Sequence, residues 1–175
     1  MRGFDVICTT LGMELSMNPL QNWQRASLEK QRNTASYETG RTEVTLLAYH
    51  FWDGDLFDDQ FDYLECAIRE TWRHCGLLKT VLVVNRLTPR VERFGAEFDG
   101  WVRFEVAEEL IPGKIHSMSV DCNARLHRRF ETPYVLVIQN DGFPIRSGLD
   151  AFVGEWDFIG APYVRNTWRN RIVCG

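Results

Sequence analysis

"YVLVIQNDGF", residues 134–143, opens apolar and turns polar midway. Tyr134, Val135, Leu136, Val137 and Ile138 form an unbroken apolar run, and Gln139, Asn140, Asp141 and Gly142 then turn it polar. A strand with no polar alternation is buried on both faces, and such strands belong to parallel sheets whose crossover helices cover them. The stretch therefore predicts an α/β sheet, with an amide, an amide and a carboxylate delivered at a strand's carboxyl end.

The residues upstream repeat that alternation. "EVTLLAYHF" reads as a short apolar strand, and "DGDLFDD" after it is turn-forming, with acidic residues suited to a helix start. Phe57, Phe61, Leu64, Ile68, Trp72 and Cys75 then recur at helical spacing, and Gly76 is placed to stop the helix. "KTVLVVNR" and "GWVRFEVA" read as two further strands. After Pro112-Gly113, Ile115, Met118, Cys122, Leu126 and Phe130 predict a helix that leads through Thr132-Pro133 into the opening strand. The fold class is α/β, a mostly parallel, Rossmann-like sheet flanked by helices, whose ligands are expected outside the carboxyl ends of the strands.

Residues 1–42, rich in Asn, Gln, Ser, Thr and Arg, read as a polar N-terminal arm, with a hint of helix after Pro19; residues 43–175 read as the folded domain. The 175 residues, 45% hydrophobic and 13% aromatic, supply a real core. A formal net charge of −4 with interspersed signs argues against a nucleic-acid or anionic-membrane binder. No run approaches the roughly 18 apolar residues of a membrane span, and the start lacks a secretory apolar core, so a cytoplasmic location is expected. The five cysteines are widely spaced and never form C-x-x-C, so they read as reduced packing residues.

Asp141 has two readings from the residues alone. It is either a carboxylate offered to a hard divalent cation such as Mg²⁺ or Mn²⁺, with Asn140 beside it, or a turn aspartate that accepts backbone N–H bonds. Arg125 either reaches an anionic ligand or pairs with Asp121 four residues earlier. His116, near a helix start, is a candidate polar contact. Neither a G-x-G-x-x-G nor a G-x-x-x-x-G-K-[ST] loop occurs, and no Ser-His-Asp or H-E-x-x-H arrangement is present.

The block "PYVLVIQNDGFPI … EWDFIGAPY" resembles the glycosyltransferase-like family known as domain-of-unknown-function family 5672, over residues about 44–170. The resemblance implies a nucleotide-sugar transferase half of the two-layered GT-A type, moving a hexosyl-type group from a nucleotide-sugar donor to an acceptor hydroxyl. It places Tyr49, Asn85, Arg125, Gln139, Asn140 and Asp141 on the donor side, with Asp141 holding a metal. Trp156, Asp157 and Tyr163 fall on the wall of the sugar or acceptor pocket. Well-studied relatives of that fold carry two carboxylates where this chain has Gln139-Asn140-Asp141, which weakens the expected metal site. The family also continues past the Ala-Pro-aromatic segment, so the domain is read as C-terminally incomplete, with no catalytic base named. The alternative is a non-catalytic or remnant domain that binds a sugar nucleotide without the acceptor half.

Overall fold

The computed structural model describes residues 18–34, 36–112, 114–155, 162–164 and 172–174. Its first element is a helix the apolar pattern barely announces, α1 (Pro19–Thr34). Asn18 Oδ1 accepts from the Leu20 amide at 2.7 Å, and the Asn18 amide donates to Gln21 Oε1 at 3.3 Å. That reciprocal cap, with Pro19 at the first helical position, is written in the sequence as "NPLQ". The helix lies within the residues read as a polar arm, and it packs on the next helix through Gln24, Leu28 and Gln31, all buried.

Strand β1 (Val44–His50) is buried throughout. It is followed by α2 (Leu56–Cys75), β2 (Lys79–Val84), α3 (Pro89–Glu97) and β3 (Val102–Val106). The sequence reading left α3 out; its signals are the Thr88-Pro89 start and the buried Val91 and Phe94, and Thr88 Oγ1 accepts from the Val91 amide at 3.4 Å. Next come α4 (Ile115–Arg125), a 3₁₀ turn at Leu126–Arg128 and β4 (Tyr134–Ile138). The four strands form one all-parallel sheet in the order β3-β2-β1-β4. A separate antiparallel pair joins β5 (Pro162–Val164) to β6 (Ile172–Cys174).

The alternating side chains of β1 split the core in two. Val44, Leu46 and Ala48 face α2 and α3 with Phe57, Phe61, Leu64, Ile68, Trp72 and Phe94. Leu47 and Tyr49 face the other side with Val81, Val83, Met118 and Cys122. Gly76 ends α2 with φ +77°, and a Cβ there would lie 2.5 Å from Gly40 Cα, so the site demands glycine for conformation and for space. Cys66, Cys75 and Cys122 are free thiols, and burial pushes the Cys66 thiol up to about 12, which keeps it unreactive. Among the described residues no helix is long and apolar enough to cross a membrane.

Candidate functional site

The chain leaves β1 to build β2 and β3 on one side, then returns through α4 to place β4 on the other. Strand order thus reverses between β1 and β4, and a crevice opens at the carboxyl ends of these two strands, the place where open α/β sheets hold ligands. A cavity of about 230 Å³ lies there. Tyr49, His50, Phe51 and Trp52 line it from β1 and its exit, Gln139, Asn140 and Asp141 from β4, Gln60 and Leu64 from α2, and Met118 from α4. The strand-end amides and carboxylate of the opening stretch are therefore brought to one cavity with Tyr49.

The aromatic wall is bolted in place. Asn85 Nδ2 donates to the Trp52 carbonyl at 3.2 Å, and the Asn85 amide donates to the His50 carbonyl at 3.2 Å. Arg86 Nη2 donates to the Gly54 carbonyl at 2.8 Å while its guanidinium lies 4.5 Å from the centroid of Phe57. Asn85 thus sits behind the wall and fixes it, outside the cavity lining.

The His50 Nε2 lies 2.9 Å from the Phe57 carbonyl, which can only accept, so this nitrogen carries the proton. Burial drives the His50 pKa down to about 4, although the carbonyl bond pulls the other way. The unfolded chain protonates this imidazole near 6.5, so between pH 4 and 6.5 it binds more protons than the native state. Stability therefore rises with pH across that window and is lost as pH falls through it. Between pH 7.5 and 5 the wild type should lose about 2 kcal/mol more than His50→Gln in urea melts, from these two pKa values; parallel losses in the two proteins would contradict the buried neutral ring.

Tyr49 spends its hydroxyl on Asp121 Oδ2 at 2.8 Å, and burial, with Cys122 and Asp121 nearby, raises its pKa. Asp121 is itself buried and receives the Arg129 guanidinium at 3.1 Å from Nε. Arg125 is not brought to the cavity. It lies at the last residue of α4, whereas Met118 of the same helix lines the cavity; seven residues of helix separate them, about 10 Å along the axis. Arg125 instead pairs with Glu109, while Asp121 Oδ1, already bound by Arg129, stands 3.8 Å from it. His116 is exposed and outside the lining. Tyr163 lies in β5, opposite Val173, while Trp156 and Asp157 lie outside the described residues.

Besides Tyr49 and Gln139–Asp141, the cavity takes His50, Phe51, Trp52, Gln60, Leu64 and Met118. Gln60 was legible as the polar residue before Phe61 on the first turns of α2, one residue off the apolar stripe. The turn itself is tight: the Gln139 and Gly142 amides donate to each other's carbonyls at 3.0 and 3.2 Å. Asp141 is exposed on it. Among the described residues no three His, Cys, Asp or Glu side chains gather to hold a metal. One carboxylate with two neighbouring amides fits a hard cation whose remaining ligands are phosphate oxygens, and does not fit a self-contained metal centre.

A second cavity of about 340 Å³ lies at the opposite end of the sheet, lined by Tyr37, Arg69, Trp72, Arg73 and Gly76 among others. Its guanidiniums carry ion pairs, Arg69 with Glu65 and Glu97 and Arg73 with Glu70, yet the buried Arg69 Nη1 and Gln31 Oε1 have no hydrogen-bond partner among the described residues. We place the candidate site at the smaller cavity because it lies at the carboxyl ends of the strands, where the strand order reverses. No curated protein and no solved structure matches the chain. Residues 106–174, which span α4, β4 and the Gln139–Asp141 turn, match the model of the family described as "Protein of unknown function (DUF5672)".

Proposed function

We propose that the cavity between β1 and β4 binds the nucleotide end of a nucleotide-sugar donor, and that the domain transfers the sugar to an acceptor hydroxyl. The observation that carries this reading is the joining, at the point where strand order reverses, of an aromatic wall (Phe51, Trp52) to the strand-end turn Gln139–Asp141. Aromatic faces stack on a planar base, and the Gln60, Gln139 and Asn140 amides each offer a donor and an acceptor to a base or ribose edge. A volume of about 230 Å³ takes one ring system rather than a whole sugar nucleotide, which leaves the diphosphate near the exposed Asp141.

Asp141 would hold Mg²⁺ or Mn²⁺ against the diphosphate, and a divalent ion bound there supplies charge neutralisation as the leaving group departs. The chain's own residues stack the base, orient the ribose and exclude water from the inner end of the cavity. Among the described cavity residues Tyr49 gives its hydroxyl to Asp121 and His50 its Nε2 proton to the Phe57 carbonyl, while Asp141 stands exposed at the mouth. That supports a second reading, a domain that binds a sugar nucleotide without transferring the sugar.

A thermal-shift panel of UDP, GDP, CDP, dTDP and their common sugars, with and without Mn²⁺, tests the proposal. A ligand at about 100 times its Kd adds about 2.7 kcal/mol, a shift on the order of 5–10 °C for a domain of this size. We expect one nucleotide to give such a shift with Mn²⁺ and Asp141→Asn to lose most of it. No shift with any nucleotide would sink the reading; hydrolysis or transfer of the bound sugar separates enzyme from binder.

A further inference from the structure

The Gln139–Gly142 turn is held from a part of the chain outside residues 106–174. Gln24 of α1 is 2% exposed, and its amide nitrogen donates to the Asn140 carbonyl and, at 3.4 Å, to the Tyr63 carbonyl of α2. One residue away, the Trp23 indole stacks on Phe143 with centroids 6.2 Å apart and planes 13° from parallel. These two contacts bracket the turn on both sides of Asp141. Among the described residues the turn otherwise has one pair of mutual backbone bonds and a contact of Gln139 Nε2 with Met118 Sδ at 3.8 Å, on a strand paired within the four-stranded sheet only to β1.

The far end of α1 is fixed just as firmly. Arg32 Nη2 binds Asp62 at 2.9 Å and Glu65 at 2.8 Å, and Gln31 donates to Glu70. A helix anchored to α2 along its length, with Gln24 bridging α2 and the turn, transmits the position of α2 to the turn. Gln60 and Leu64, on the same α2, line the opposite side of the cavity.

We propose that α1 is a built-in brace of the ligand site, with Gln24 as the positioning residue that sets the Gln139–Gly142 turn and, through it, the Asp141 carboxylate. This rests on the reading of the cavity as a nucleotide site only where ligand affinity is concerned. Gln24 touches no ligand; it acts by fixing the backbone that presents Asn140 and Asp141. Preorganisation of that kind raises affinity because the turn need not be ordered on binding.

The test uses the full chain and two variants. Gln24→Met keeps the length and volume of the side chain and removes the donor; Trp23→Ala removes the stacking from a residue that is 43% exposed. Hydrogen exchange is followed at the mutually bonded Gln139 and Gly142 amides, and nucleotide affinity is measured by calorimetry with the nucleotide that most stabilises the wild type. We expect exchange at those two amides to quicken at least tenfold in Gln24→Met and severalfold in Trp23→Ala. Amides in the middle of α2 and β2 should stay within twofold of wild type, and affinity should fall at least tenfold in Gln24→Met. Wild-type exchange at the turn in a folded Gln24→Met overturns the proposal, as does a uniform rise across α2 and β2. If Gln24→Met does not fold, Trp23→Ala decides by the same criterion. A wild type that binds no nucleotide defeats the nucleotide reading alone, because the exchange result still decides whether α1 braces the turn.

Discussion

Glu65→Ala should destabilise the protein by about 3–5 kcal/mol, the cost of taking a buried partner from the buried Arg69 cation. The Glu65 side chain is 1% exposed and receives Arg69 at 2.8 Å, Arg32 at 2.8 Å and Arg90. Burial alone would raise its pKa, yet Arg32, Arg90 and Arg69 together hold the carboxyl below its usual range. Arg69 is wholly buried, with its guanidinium 4.8 Å from the Phe98 centroid and 5.6 Å from that of Phe94. Without Glu65 it keeps, among the described residues, only Glu97 as an ionic partner, 2.7 Å away and 46% exposed. Asp62 shares Arg32 and Arg90 but is 35% exposed, so Asp62→Ala should lose only about 1 kcal/mol or less. Urea melts of the two variants decide it: equal losses would show that Glu65 is not the hub that joins α1, α2 and α3.

Trp72→Ala is the second large loss, about 3–5 kcal/mol for emptying a buried indole. Trp72 is 1% exposed and stacks on Phe94 at 5.9 Å with planes 9° apart, while Phe98 and Tyr37 stand 4.7 and 5.5 Å from it. Its Nε1 donates to Thr80 Oγ1 at 3.2 Å, so the polar handle of the indole is satisfied inside the core. Thr80 belongs to β2 and also donates to the Leu78 carbonyl, so the truncation opens a void without orphaning the hydroxyl. Trp72→Phe should recover part of the loss by keeping a ring against Phe94. A loss below about 1.5 kcal/mol for the alanine variant, the range of a small aliphatic truncation, would mean that the aromatic cluster collapses around the gap.

The sheet was legible from the apolar runs of β1, β2 and β4, although β4 is an edge strand that is only partly buried, with Val137 exposed, and β3 alternates Arg103 and Glu105 with apolar residues; α2 was legible because six apolar residues keep one face from Phe57 to Cys75. The faces of α1 were not. Of its inward residues Gln24, Leu28 and Gln31, the two glutamines bury amides against Tyr63 and Glu70 and Leu28 alone buries hydrocarbon, so hydropathy reads the helix as a polar arm. Glu65, Arg69 and Glu70 were hidden for the same reason: α2 is flanked by α1 and by α3, and charge is buried between these helices by pairing. The strand-end position of Gln139–Asp141 followed from the sequence. That Arg125 points to the far end of α4 did not, because the spacing from Asp121 fits both of its roles and only the direction of the helix against the sheet separates them.

A ligand site at the carboxyl ends of β1 and β4 can be checked by mapping backbone amide shifts while titrating the nucleotide that most stabilises the protein. We expect the largest shifts at residues 49–52, around Met118 and at Gln139–Gly142, with little change at the opposite end of the sheet. Shifts centred on Tyr37, Arg69, Arg73 and Gly76 would contradict it and move the site to the larger cavity at the amino ends of the strands.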